Sequence, residues 1–119
     1  MPRKRKGEGQ TALVTGASAG IGVDLAECFA QDGYNLILAA RSADALREVA
    51  SRLAMKHKIT ATPIAADLQV QGGGSKLAGE IKKQGLSVDV AVNNAGYGIA
   101  GVFDGSKLDE QLGMIDLND

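Results

Sequence analysis

Three glycines stand between a short β-rich run and a helical pattern, in Thr15-Gly16-Ala17-Ser18-Ala19-Gly20-Ile21-Gly22. Gly16 lets the chain turn sharply out of a strand. Gly20 lacks a Cβ where a backbone would have to approach a pyrophosphate, and Gly22 lets the next helix lie close to the sheet. The first turn of that helix offers free N–H groups and a partial positive charge to phosphates, and Ser18 adds a hydroxyl. Gly16, Ser18, Ala19, Gly20, Ile21 and Gly22 are therefore candidate cofactor contacts. The spacing G-x-x-x-G-x-G is neither a P-loop, which needs Gly-Lys-Ser/Thr, nor the fingerprint G-x-G-x-x-G. A plain tight strand–helix turn is the competing reading. The strand before, the helix after and the spacing together favour phosphate binding.

A second candidate group follows the next apolar run. In dinucleotide-binding sheets the end of the second strand meets the adenosine ribose. An acid there accepts from the 2′-OH of NAD, whereas an arginine suits the 2′-phosphate of NADP. This chain has Ala40 and then Arg41-Ser42. Arg41 offers a planar, permanently charged fork, which points to NADP(H). The alternative is that Arg41 pairs with Asp44 or Glu48 on the following helix. Cys28 is the single cysteine, so no internal disulfide is available, and a place in or near the core suits it better than a reactive thiol. His57, the single histidine, sits in Lys56-His57-Lys58 and reads as a solvated helix terminus. No metal site is legible.

The elements that must position these residues alternate. Thr11 to Thr15 reads as a first strand. Ile21, Leu25, Ala26, Phe29 and Ala30 form one face of a helix that ends at Asp32-Gly33. Leu36 to Ala40 is apolar throughout, as a strand buried on both faces should be. Ser42 caps a second helix with the stripe Leu46, Val49, Ala50 and Leu53. Ile59 to Ala66 makes a third strand, and Pro63 places it at an edge or marks a bulge. Gln69 to Ser75 is a flexible connection before a third helix containing Leu77 and Ile81. Ser87 to Asn93 is a fourth strand, Gly96 to Gly105 a glycine-rich loop, and Ser106 opens a last helical stretch. Strand–helix alternation implies right-handed parallel crossovers and a doubly wound α/β sheet of the Rossmann-like class, here with about four strands.

The motif TGASAGIG resembles the cofactor motif of the short-chain dehydrogenase/reductase family. Further segments match that family's order: Asp67-Leu68 after the third strand, Asn93-Asn94-Ala95-Gly96 after the fourth, and Met114-Ile115-Asp116-Leu117-Asn118 near the end. The resemblance spans about Thr11 to Asn118 and the first half of a typical member. The wording of LILAARS, AADL, NNAGYG and MIDLN is most similar to NADP-dependent ketone- or ketoacyl-reductase-like members. It implies that the Asp67 carboxylate accepts from the adenine amino group while Leu68 supplies backbone contacts. Asn93, Ala95 and Gly96 would border the ribose and nicotinamide, with Asn93 tying neighbouring strands. Asp67 as a turn cap and Asn-Asn-Ala-Gly as an ordinary turn remain the alternatives. Ala19 departs from NADP-type relatives that carry a second basic residue in this loop.

In the family a tyrosine donates the proton and a lysine four residues later lowers its pKa, while a serine orients substrate and an asparagine supports a water relay. This is general acid catalysis with electrostatic support. Asn118 resembles the relay asparagine, in a supporting role. Tyr34 is followed four positions later by Leu38 and Tyr97 by Gly101, so these residues contain no Tyr-x-x-x-Lys. The expectation is a cofactor-binding half, inactive alone, whose full-length relatives act on a small carbonyl or alcohol. A non-catalytic dinucleotide-binding or interaction module, or a degenerate gene product, is the alternative.

Composition bounds the rest. A net charge of -1 and a 45% hydrophobic fraction suit a globular domain with no general pull toward nucleic acid or membrane. No apolar run approaches the ~20 residues that span a bilayer. A cytoplasmic setting and a homo-oligomer fit the family. Residues 1–10, with Arg3, Lys4, Arg5 and Lys6, read as a disordered leader, a nuclear-localisation or nucleic-acid tetrad being the other reading, and residues 11–119 as one NADP-binding domain incomplete at its C-terminus. An exposed edge carrying Val88, Val90 and Val92 would make that domain marginally stable.

Overall fold

The computed structural model describes residues 5–95, 98–108 and 112. The apolar runs form strands β1 (Thr11–Thr15) and β2 (Asn35–Ala40), and the periodic segments form helices α1 (Gly20–Gln31) and α2 (Ala43–His57). Strand β3 (Ala61–Ala65), helix α3 (Gly73–Lys83), strands β4 (Val90–Ala95) and β5 (Gly98–Asp104), and a short 3-10 turn at Gly105–Lys107 follow. The five-stranded sheet has the order β3-β2-β1-β4-β5. All pairings are parallel except β4 with β5.

Alternation along the strands divides the core in two. Ala12, Val14, Leu36 and Leu38 face Ala26 and Ala30 of α1 and Leu46, Val49, Ala50 and Leu53 of α2. Leu13, Ile37, Ala39, Ile64 and Ala91 face Leu77 and Ile81 of α3, together with Leu112. Leu13, Leu36, Leu38, Leu46 and Leu53 are fully buried, each worth roughly 2 kcal/mol of apolar burial. The sheet is therefore covered on both faces, as the doubly wound class requires.

Pro63 sits where its chemistry allows. Leu36 N–H donates to Thr60 O and Ala66 N–H to Ala40 O, so the even-numbered residues of β3 turn their backbone groups toward β2. Pro63 turns away, on the open side of an edge strand, where its missing N–H breaks no ladder bond.

Several sequence expectations are corrected. Residues 98–104, expected within a loop, pair antiparallel with β4 in a register interrupted at Asn93/Asn94. The open hydrogen-bonding edge of β4 outweighs the local glycine signal, because unpaired strand backbone is costly wherever a partner is within reach. The edge is accordingly β5 and not β4: Val92 is buried and Val102, on β5, is 61% exposed. Gln69 to Ser75 is also no uniform connection, since Gly73 and Gly74 already belong to α3 and are buried. A Cβ on Gly73 would fall on the Asp67 carbonyl oxygen, so this glycine is a packing residue.

Cys28 is exposed. The buried stripe of α1 is Gly22, Ala26 and Ala30, and two residues beyond Ala26 is a rotation of about 200°, onto the opposite face. Ile21 is likewise 53% exposed, outside the stripe it was expected to join. The final helical stretch begins one residue early, with Asp104 Oδ1 accepting from Ser106 N–H at 2.8 Å.

The expected leader is attached from Arg5 onward. Gly7 N–H donates to Asp32 O at 2.6 Å, and Arg5 Nη1 donates to His57 O at 2.6 Å. Gly7 packs against the Tyr34 ring, leaving no space for a Cβ. That ring in turn meets Phe29 edge-on at 5.1 Å.

His57 is not a solvated terminus. Its side chain is 12% exposed, and its Nε2 lies 3.0 Å from Glu27 Oε2, which Lys56 Nζ also approaches at 2.6 Å. The hydrogen bond from Lys56 and then that from His57 pull the Glu27 carboxyl down from 4.5 to about 2. A carboxyl lowered by folding stabilises the fold fully above its unfolded value and loses that contribution as it is protonated in the folded state. Glu27→Gln should therefore lower the melting temperature at neutral pH. The gap from the parent should hold down to about pH 4.5 and close as pH falls toward 2. A gap unchanged across that window in thermal melts would show that charge is not its origin.

Candidate functional site

Strand β1 ends at Thr15, a polar residue at a buried strand position, 2% exposed. Gly16 then takes a left-handed φ of 64° and Gly20 one of 60°, conformations that side chains resist. Between them Ala17 is fully buried, and its N–H donates to Ala39 O at 3.2 Å, which fastens the turn to β2. Ser18 is half-buried, while Ala19, Gly20 and Ile21 are exposed.

The three glycines serve different ends. A Cβ on Gly16 would lie 2.8 Å from Asn94 O. A Cβ on Gly22 would fall on the Gly16 carbonyl and 2.9 Å from Asn94 Nδ2. Gly20 has nothing within 4 Å of a Cβ, so its open side faces out of the protein. Helix α1 starts from Ala19, which supplies no side-chain cap, and no acidic residue lies in its first turn. Its leading N–H groups therefore point at the open side of the turn with no side-chain acceptor competing for them.

Strand β4 closes the site from the other side. Thr15 Oγ1 accepts from Asn94 N–H at 2.9 Å and lies 3.2 Å from Asn93 Oδ1 and 3.4 Å from Val92 O. Asn94 Nδ2 donates to Gly16 O at 3.3 Å. The tie expected of Asn93 is thus shared, and Asn94 carries the bond that holds the turn. Asn94 Oδ1 is buried without a hydrogen-bond partner among the described residues. Thr15, Ala17 and Asn94 had not been singled out from sequence. A hydroxyl closing an apolar strand just before the glycine turn is the available signal for Thr15; nothing in Asn93-Asn94 says which of the two faces the turn.

The remaining candidates lie at the same end of the sheet. Ala40 closes β2, and Arg41 after it is exposed. The Ser42 hydroxyl caps α2, accepting from Ala45 N–H at 3.3 Å. Asp44, a proposed partner of Arg41, pairs instead with Arg47 at 3.7 Å, and Arg41 enters no ion pair among the described residues. After β3, Asp67 Oδ1 accepts from Gln69 N–H at 2.9 Å, so Asp67 does cap a turn. Asp67 also lines a cleft of about 480 Å³ with Ile64, Lys76, Leu77 and Glu80. Leu68 is half-buried against the α3-side core, and Ala95 ends β4. Gly96, Tyr97 and Asn118 lie outside the described residues.

The structure thus gathers Gly16 to Gly22, Arg41-Ser42, Asp67-Leu68 and Asn93 to Ala95 at the carboxyl ends of β1, β2, β3 and β4. The chain runs outward from β1 to β2 and β3 and then returns to the other side of β1 as β4. The crevice between β1 and β4 is the switch point at which doubly wound sheets bind ligands. Among the described residues no group of three or more His, Cys, Asp or Glu is placed to hold a metal ion, and no helix is long and apolar enough to cross a membrane.

Residues 10–118 match the family model for the short chain dehydrogenase. The chain is 35% identical over 107 residues to the oxidoreductase YmfI of Bacillus subtilis, covering 87% of this chain and 43% of that protein. It is 38% identical over 88 residues to the rhamnolipids biosynthesis 3-oxoacyl-[acyl-carrier-protein] reductase of Pseudomonas aeruginosa, covering 74% of this chain and 34% of the relative. L-sorbose reductase from Gluconobacter frateurii, solved with NADPH and L-sorbose, superposes with a TM-score of 0.71 at 33% identity, over 79% of this chain and 36% of that one. The chain therefore spans less than half the length of these relatives.

Proposed function

The chain belongs to the short-chain dehydrogenase family, and from that premise we propose that its residues form the NADP(H)-binding part of a carbonyl or alcohol oxidoreductase. The observation that carries the reading is the turn after β1. It has two left-handed glycines, an open face at Gly20 and an uncapped helix N-terminus behind it. These fit a pyrophosphate, which needs backbone donors and no side chain in its way. When bound, the dinucleotide supplies hydride exchange with a carbonyl or alcohol carbon.

The chain's own residues bind and orient. The turn holds the diphosphate, and exposed Ile21 offers apolar surface beside it. Arg41 and Ser42 take the 2′-phosphate, and Asp67 and Leu68 the adenine edge. Asn93 to Gly96 border the nicotinamide side. No Tyr-x-x-x-Lys occurs in these residues, so proton delivery to a substrate oxygen is assigned to none of them. Asn118 keeps its supporting role.

Titration with NADPH and NADH tests the cofactor assignment. NADPH should bind more tightly, and Arg41→Ala should weaken it by about 10- to 100-fold, the loss of a charge-assisted contact, while NADH changes little. Equal losses for both would sink the 2′-phosphate role of Arg41. Carbonyl-dependent NADPH oxidation by the 119 residues alone would show that a proton donor lies among them.

A further inference from the structure

An ionised acid near a 2′-phosphate works against NADP, and this chain keeps one close by. Asp44 lies in the first turn of α2, three residues beyond Arg41, and its side chain is 98% exposed. Only Ser42 and Ala43 separate this carboxylate from Arg41 in the chain. Asp44 Oδ1 lies 3.7 Å from Arg47 Nη2, one turn further along the helix. Side chains three apart face one another on a helix. Arg47 is itself 65% exposed and reaches back toward the start of α2, leaving Arg41 outside every ion pair of the described residues.

We propose that Arg47 is a specificity-determining positioning residue: by occupying and offsetting Asp44, it keeps Arg41 available for the 2′-phosphate of NADP(H). This rests on the dinucleotide reading above and adds a role that the phosphate-binding turn does not fill. Two effects act in one direction. Without Arg47, Asp44 competes with the phosphate for the Arg41 guanidinium, and its uncompensated charge repels the phosphate within a screening length. Both are surface effects and modest in size. NADH carries no 2′-phosphate and is indifferent to either.

Dissociation constants for NADPH and NADH, measured on the full chain and on Arg47→Ala, Asp44→Asn and the double variant, test this. Arg47→Ala should weaken NADPH roughly three- to fivefold and leave NADH within twofold. In the Asp44→Asn background the same substitution should cost almost nothing, and Arg47→Lys should restore most of the affinity. The NADPH loss should shrink at high salt. An NADPH loss that persists undiminished beside Asp44→Asn would overturn the proposal, since Arg47 would then act directly or through the fold. So would an unchanged NADPH-to-NADH ratio in Arg47→Ala. Arg41→Ala separates the two levels: if it reduces the NADPH preference while Arg47→Ala does not, the proposal alone falls. If the unaltered chain shows no preference for NADPH, the cofactor reading falls and the proposal with it.

Discussion

Gly22→Ala should lower the stability of the domain and weaken dinucleotide binding by more than tenfold. At an ordinary helical position the same change is favourable by roughly 0.5–1 kcal/mol, because glycine loses more backbone entropy on folding. Gly22 reverses that sign. Its added Cβ would meet the Gly16 carbonyl and lie 2.9 Å from Asn94 Nδ2, and backbone cannot step aside as a side-chain tip can. Helix α1 would have to lift from the turn, an overpacking cost of about 1–3 kcal/mol. The leading N–H groups would lift with it. Gly79 of α3 is the internal control: it is helical, and nothing lies within 4 Å of its Cβ. Gly79→Ala should therefore raise the melting temperature while Gly22→Ala lowers it. Two parallel shifts of the same sign would refute the close-approach argument.

The second large effect is expected at Thr15. Its hydroxyl accepts from Asn94 N–H at 2.9 Å, and its one proton serves either Asn93 Oδ1 or Val92 O. Thr15→Val keeps the shape and the strand preference but takes the acceptor from a part-buried N–H, at about 1 kcal/mol. Asn94 would be freed to shift, and with it the bond from Asn94 Nδ2 to Gly16 O. Dinucleotide affinity should therefore drop together with stability. Thr15→Ser retains the hydroxyl and should recover most of both. Thermal melts and NADPH titrations that found Thr15→Val equal to Thr15→Ser would remove the hydroxyl from the account.

Much of this site was legible from residue order because its determinants are local. The turn demands left-handed backbone at Gly16 and Gly20, which few residues but glycine accept. The α2 stripe of Leu46, Val49, Ala50 and Leu53 is set by helical periodicity, and all four are buried. Ser42 was readable as a cap because its oxygen bonds only three residues ahead. What escaped depends on partners distant in sequence. Whether Asn93 or Asn94 holds Gly16 turns on the register of β4 beside β1, and shifting that register by one residue would exchange the two. His57 looked like a solvated terminus, since nothing in Lys56-His57-Lys58 points thirty residues back to Glu27.

By itself the sequence determined the doubly wound class, the glycine turn after the first strand, and the arginine after the second. Each follows from backbone sterics and side-chain periodicity within a few residues. Only the tertiary structure decided that residues 98–104 add a fifth strand, that Cys28 faces outward, and that Arg47 rather than Arg41 takes Asp44. These outcomes are competitions: between an open strand edge and a glycine-rich loop, between two faces of one helix, and between two guanidinium groups for one carboxylate. Such contests are settled by which groups the fold brings within hydrogen-bonding or Coulombic range, and that range is a property of the packed chain.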